Sequence, residues 1–175
     1  DDNIMNKSFM GKKLLSLLLS VLMCLSLIPS VALATTAEGE TVTETENFYK
    51  DESDTWHIAN AAGLSEFSKS VSANNNYKGQ TVILDSDIDM SGVTYNSAGT
   101  GYQAGFQGTL DGNNKTLSNL TIQNETCNYT GLFYVLSGTV KDLTLKNANV
   151  SGVRVGVLAG ASYSCTIDNV DVLDS

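Results

Sequence analysis

One seven-residue motif returns three times in the second half of the chain. Thr116–Ile122 reads TLSNLTI, Thr139–Leu145 reads TVKDLTL and Thr166–Val172 reads TIDNVDV. Each copy opens on Thr. Apolar residues hold the second place (Leu117, Val140, Ile167), the fifth (Leu120, Leu143, Val170) and the seventh (Ile122, Leu145, Val172). The fourth place is Asn119, Asp142 or Asn169. The copies start 23 and then 27 residues apart, Thr116 to Thr139 to Thr166. A second pattern keeps step with the first: GLFYVLSG (131–138) and GVLAGASY (156–163) each precede a copy. Strand-sized pieces, broken by Gly, Ser, Asn and Thr turns at a steady period, suit a chain that coils around itself and stacks equivalent residues. The expected fold is therefore all-β, a parallel β-helix whose coils rise by one strand spacing, about 4.8 Å. The aligned apolar places would form three inward ladders. Asn119, Asp142 and Asn169 would stack at a bend, where Asn and Asp tolerate unusual backbone angles. An antiparallel sandwich also yields short alternating strands, without requiring the same residue types to recur.

The N-terminus reads as an export leader. Lys7, Lys12 and Lys13 precede an apolar run from Leu14 to Ile28. Pro29 ends that run, and Ala32-Leu33-Ala34 offers the small residues a signal peptidase reads. Residues 1–34 are the predicted signal peptide, cleaved after Ala34. Residues 1–4 read as upstream translation, with the start at Met5 or Met10. The apolar run is about 15 residues, short of the roughly 20 a membrane helix needs, so no span is expected after cleavage. The 175-residue chain carries net charge −9, and removing three Lys and two Asp with the leader leaves seven basic residues against seventeen acidic, a charge of −10. Such a chain lacks the basic clusters that grip nucleic acid or anionic membrane. Of three Cys, Cys24 lies in the leader, and Cys127 and Cys165 are available to pair in an oxidising compartment.

Residues 35–55 are acidic and Thr-rich, the composition of a disordered linker. Trp56-His57-Ile58 reads as a short strand. Leu64, Phe67 and Val71 fall on one face of a helix N-capped by Asn60, and this helix is expected to cap the N-terminal end of the stack. In TVILDSDIDM, Val82, Leu84, Ile88 and Met90 alternate with polar residues as in a half-buried strand. The chain stops at Ser175 just after a motif copy, which gives it the look of a piece of a longer protein.

The sequence nominates no catalytic, cofactor or metal residue. Asp85, Asp87 and Asp89 alternate along a strand and could bridge calcium, but alternate residues stand nearly 7 Å apart, and a solvated acidic face accounts for them. Asp111-Gly112-Asn113-Asn114 has ligand-type side chains and equally the composition of a tight turn. His57 is the only His, so a peptidase motif of two His four apart is absent from this sequence. Cys127 or Cys165 could form a nucleophile pair with His57, though nothing local supports it, and Asp142 with Asp168 could form a carboxylate pair for glycoside hydrolysis, though Asp142 is already used by the bend ladder. Arg154 is the only Arg, and Lys141 and Lys146 fall on the coil surface. Tyr77, Tyr95, Tyr102, Tyr129, Tyr134 and Tyr163 suit sugar stacking or core filling alike. The sequons at Asn124, Asn128 and Asn149 read as turns.

Taken in order, GLSEF, the stretch ending SDIDMSG, FQGTLDGNNKTLSNLTI, GLF with SGTVKDLTL, and VGVLAG with CTIDNVDV resemble the GLUG-motif surface proteins of bacteria. Phe106–Ile122 is the most specific block. Tyr95 stands where the family often has Trp, and Val157 where it has a second Gly. The resemblance implies a right-handed parallel β-helix in an exported protein, adhesin-like or a non-catalytic part of an IgA-specific metallopeptidase, with no catalytic residues to carry over. The expected function is a structural or adhesive cell-surface module that presents an extended face to host or cell-wall glycan or protein. The alternatives are the first part of a carbohydrate-active β-helix enzyme, or an ancillary region of a secreted metallopeptidase.

Overall fold

A computed structural model of the chain describes residues 42–124 and 129–175. The leader, residues 35–41 and Cys127 lie outside the described residues. The described chain is mostly β-strand with one short helix. The strands are β1 Phe48–Lys50, β2 Trp56–Ile58, β3 Thr81–Leu84, β4 Ile88–Asp89, β5 Thr109–Ser118, β6 Thr121–Asn124, β7 Phe133–Leu136, β8 Thr139–Lys146, β9 Asn149–Gly152, β10 Ala159–Ser162 and β11 Thr166–Leu173, and the helix is α1, Ala61–Ser72.

From β5 onward the chain visits three sheets in turn and then visits them again. The first sheet runs β1-β2-β3-β5-β8-β11, with β4 also on β5; the second pairs β6 with β9; the third pairs β7 with β10. Apart from the antiparallel β1–β2 hairpin, every strand pairing among the described residues is parallel. Residues one circuit apart therefore stack. One column is Trp56–Val82–Leu110–Val140–Ile167. Another is Ile88–Leu117–Leu145–Val172. Both are buried except at the last strand, where Ile167 is 53% and Val172 47% exposed, because β11 is flanked by β8 on one side only.

The second and third motif copies pair residue for residue as aligned, Thr139 on Thr166 through Leu145 on Val172. The first copy does not. Thr109, not Thr116, lies beside Thr139, so Leu110 stacks on Val140 and Leu117 on Leu145. Ile122 pairs with Val150, and Leu120 falls at the level of buried Ala148. The cause is a bulge: β5 runs from Asp111 to Lys115 where β8 runs only from Lys141 to Leu143. Asn113 and Asn114, both at positive φ (52° and 56°), make this corner. Gly112 is required there, since a Cβ would stand 2.3 Å from the Asp142 carbonyl oxygen.

The expected bend ladder consequently splits in two. Asp142 (φ 52°) accepts from the Asn169 amide (φ 50°) at 2.7 Å. Asn119, Asn147 and Asp174 occupy a separate positive-φ bend, with Asn147 Nδ2 3.5 Å from Asn119 Oδ1.

α1 has the expected cap and face. Asn60 accepts from the Ala62 and Gly63 amides, and Leu64, Phe67 and Val71 are buried. Phe67 meets Phe48, Phe106 and Phe133 edge-on with centroids 5.4–6.3 Å apart, and Tyr77 at 5.5 Å, so the helix closes over an aromatic core. Within the expected linker, residues 42–55 are instead ordered. Phe48 is buried and stacks on Trp56 at 4.8 Å. Asp51 Oδ1 accepts from the Ser53 and Thr55 amides and folds the hairpin turn. A single aromatic residue and one carboxylate-built turn outweigh the acidic composition.

Candidate functional site

The polar residues that attracted attention in the sequence mostly tie coil to coil. Asp85, Asp87 and Asp89 bond to separate protein partners. Asp85 accepts from His57 Nδ1 at 2.6 Å and from the Tyr49 hydroxyl at 3.0 Å. Asp87 accepts from the Thr116 amide at 2.8 Å. Asp89 accepts from the Asn119 amide nitrogen and from Ser91 N and Oγ, which holds its carboxyl below the usual range. Asp111 binds the Asn113 amide within the corner and reaches across one coil to Lys141 at 2.5 Å. Asp142 is occupied by Asn169 and Lys141, and the hydrogen bond from Asn169 is the main cause of its lowered pKa. Asp168 lies in β11 beside Lys141 in register, two circuits from Asp111 by pairing.

His57 is held between two carboxylates. Its Nε2 lies 3.4 Å from Asp51 and its Nδ1 2.6 Å from Asp85, while Tyr49 stacks on the ring at 5.0 Å. Partial burial disfavours the imidazolium, but Asp85 and then Asp51 outweigh it and raise the pKa above 6.5. The described nucleophile candidate, Cys165, is a free thiol packed against the core. Among the described residues, no group of three or more His, Cys, Asp or Glu is placed to hold a metal ion.

The tyrosines divide by register. Tyr77 and Tyr95 are buried, with hydroxyls bonded to Ser70 Oγ (2.6 Å) and the Leu132 carbonyl (3.1 Å); burial pushes both phenol pKa values up. The other four converge outside. Tyr134 points outward from β7 between buried Phe133 and Val135, as strand alternation dictates. The loop before β5 stacks on one side of β7 (Tyr134 N to the Ala98 carbonyl, 2.9 Å), and the end of β10 stacks on the other (Tyr163 N to the Leu136 carbonyl, 2.9 Å). Three successive levels thus deliver Tyr102, then Tyr129 and Tyr134, then Tyr163. The Tyr102 and Tyr129 hydroxyls lie 2.5 Å apart, and this bond raises the Tyr129 pKa. Ring centroids are 5.0 Å (Tyr102–Tyr163), 5.4 Å (Tyr129–Tyr134) and 5.9 Å (Tyr102–Tyr129), all edge-to-face. Arg154 adds its guanidinium 5.3 Å over the Tyr129 ring. Gly160 permits the approach, because a Cβ there would stand 2.7 Å from Tyr129 Cβ. The sequence named these tyrosines without sorting them. The outward place of Tyr134 in β7 was the one local signal.

Parallel strands stacked in register, with polar side chains spent on holding coils together and an aromatic cluster outside, define a β-repeat module. The chain belongs to the family described as the M26 IgA1-specific metallo-endopeptidase N-terminal region, whose profile matches residues 32–173. A 68-residue stretch, 37% of the chain, is 48% identical to halomucin of Haloquadratum walsbyi and spans 1% of that protein. Among solved structures, the chain is similar to one described as a "putative immunoglobulin A1 protease" from Bacteroides ovatus, with TM-score 0.53 and 21% identity over 70% of this chain and 37% of that one. At that identity the likeness is one of fold. No helix among the described residues is long and apolar enough to cross a membrane.

Proposed function

We propose that the stack is a right-handed parallel β-helix of the GLUG type, and that it serves as a non-catalytic region of an exported bacterial surface protein. Its coils form a rigid scaffold carrying a lateral binding face, ancillary to whatever chemistry the whole protein performs. The observation that carries this reading is the in-register column Trp56–Val82–Leu110–Val140–Ile167, in which each circuit of chain repeats the last. Such a solenoid creates extended surfaces from equivalent positions of successive repeats. The family description supports a place beside a metallo-endopeptidase, and the coil carboxylates Asp85, Asp87, Asp89, Asp111 and Asp142 are engaged in structural hydrogen bonds or ion pairs.

Two measurements test it. Exported chain should begin at Thr35 by N-terminal sequencing. Purified chain should be retained saturably on mucin-coated or epithelial surfaces while leaving immunoglobulin A1 and polysaccharide at their starting masses. Cleavage of either by this chain alone would overturn the non-catalytic reading, and absence of retention would overturn the binding one.

A further inference from the structure

We infer that Tyr102, Tyr129, Tyr134, Tyr163 and Arg154 form a binding site for a carboxylate-bearing pyranose sugar at the end of a glycan. The inference rests on reading the chain as a binding region, and it names that region's ligand. Tyr102 and Tyr163 are 53% and 47% exposed, high for large aromatic residues that touch each other. Exposed aromatic clusters of this kind mark interaction surfaces. In edge-to-face packing one ring of a pair presents its edge and not a face to its neighbour, and Tyr102 and Tyr163 keep about half of their surface open to solvent.

A pyranose matches that surface chemically. Its C–H face stacks on an aromatic face, and its rim of hydroxyls meets phenol hydroxyls, two of which already lie together where Tyr102 joins Tyr129. Tyrosine also binds at low conformational cost, having few side-chain torsions to freeze. The rings come from three stacked levels of parallel strand, so the scaffold fixes their spacing before any ligand arrives.

Charge selects the kind of sugar. The stretches that carry the cluster, residues 93–110, 129–140 and 143–167, contain no Asp or Glu, although the chain as a whole is at −9. The coil carboxylates Asp85, Asp87, Asp89, Asp111 and Asp142 instead lie in the first sheet and its corners. Arg154, the chain's only arginine, is exposed and pairs with no carboxylate among the described ion pairs. Its planar fork of donors fits a carboxylate in two parallel bonds, and its stacking on Tyr129 pre-orients it. A single acidic sugar is thus attracted locally, while a long polyanion would meet the acidic remainder of the chain.

The test is titration of the purified chain with 3′-sialyllactose and with lactose, its neutral counterpart, followed by calorimetry and tyrosine-ring NMR shifts. The acidic sugar should bind at least about ten-fold more tightly than lactose, a difference of about 1.4 kcal/mol. Tyr102→Ala and Tyr163→Ala should each weaken both sugars about ten-fold or more. Arg154→Gln should erase the preference and leave lactose binding nearly unchanged. These side chains lie outside the core, and an unchanged circular dichroism spectrum and melting temperature will show that each variant folds. Undiminished binding in Y102A and Y163A, or an acidic preference that survives R154Q, would overturn the site. If the folded chain binds neither sugar yet is held on epithelial surfaces in a way these variants abolish, the ligand is a protein: the glycan inference falls and the binding-region reading stands. If neither sugar nor surface is bound, both fall.

Discussion

Replacing Phe67 by Ala tests how the helix is joined to the coils. Phe67 is fully buried, and its ring meets those of Phe48, Tyr77, Phe106 and Phe133 within 6.3 Å. It therefore links the helix, the β1–β2 hairpin and the first coils through one side chain. Truncating a buried Phe costs about 3–5 kcal/mol, from lost burial and from the cavity left behind. With a urea m-value of about 2 kcal/mol/M, the unfolding midpoint should fall by roughly 1.5–2.5 M. Phe67→Leu keeps most of the apolar contact but loses the edge-to-face geometry, and should cost about 1–2 kcal/mol. Lys69→Ala, on the exposed side of the same helix, should stay within about 0.5 kcal/mol. Unfolding followed by circular dichroism at both helix and strand wavelengths decides the matter. A loss below about 1 kcal/mol for F67A, or a loss of helix signal that leaves the strand transition in place, would refute the view that the helix and the coils share one core.

Two further predictions concern the corners of the fold. Gly112→Ala should destabilise by about 1–3 kcal/mol, through overpacking against the coil above, where its Cβ would meet the Asp142 carbonyl oxygen at 2.3 Å and Leu143 Cα at 2.7 Å. Gly101→Ala meets no atom within 4 Å and should be nearly neutral by the same melt. His57 gives a pH dependence: both ring nitrogens face carboxylates, so only the imidazolium donates to both. Its folded pKa is raised above 6.5, so its contribution is fully present below pH about 6.5 and is lost as pH rises through the folded pKa. Melting temperatures should fall across that window in the native chain, and His57→Gln should flatten the step; a step of the opposite sign would contradict the pairing.

Much of this architecture was legible because strand stacking repeats residue types. Thr139–Leu145 and Thr166–Val172 pair as their sequences align, and Leu64, Phe67 and Val71 revealed their helix by spacing alone. The first copy misled because Thr-Leu occurs twice, at 109–110 and at 116–117, on either side of a bulge. Motif matching chose the later pair for its well-placed Asn119, whereas backbone pairing chose the earlier. The order of residues 42–55 was hidden because composition averages over a window and Phe48 acts alone. The tyrosine cluster was hidden for another reason. Tyr102, Tyr129 and Tyr163 meet only through register across three levels, which no local pattern states.

Cross-linking across neighbouring coils tests the stacked parallel register most directly. With Cys127 and Cys165 replaced by Ser, cysteines are placed at Thr116 and Thr144, which lie side by side on β5 and β8. Parallel neighbours stand about 4.8 Å apart, within the span a disulfide bridges. Mass spectrometry after mild oxidation should find the T116C/T144C bridge nearly complete. T116C/T139C should stay reduced, since Thr139 pairs instead with Thr109, on the order of 15 Å along the strand. A bridge in the second variant and none in the first would contradict the stack described above.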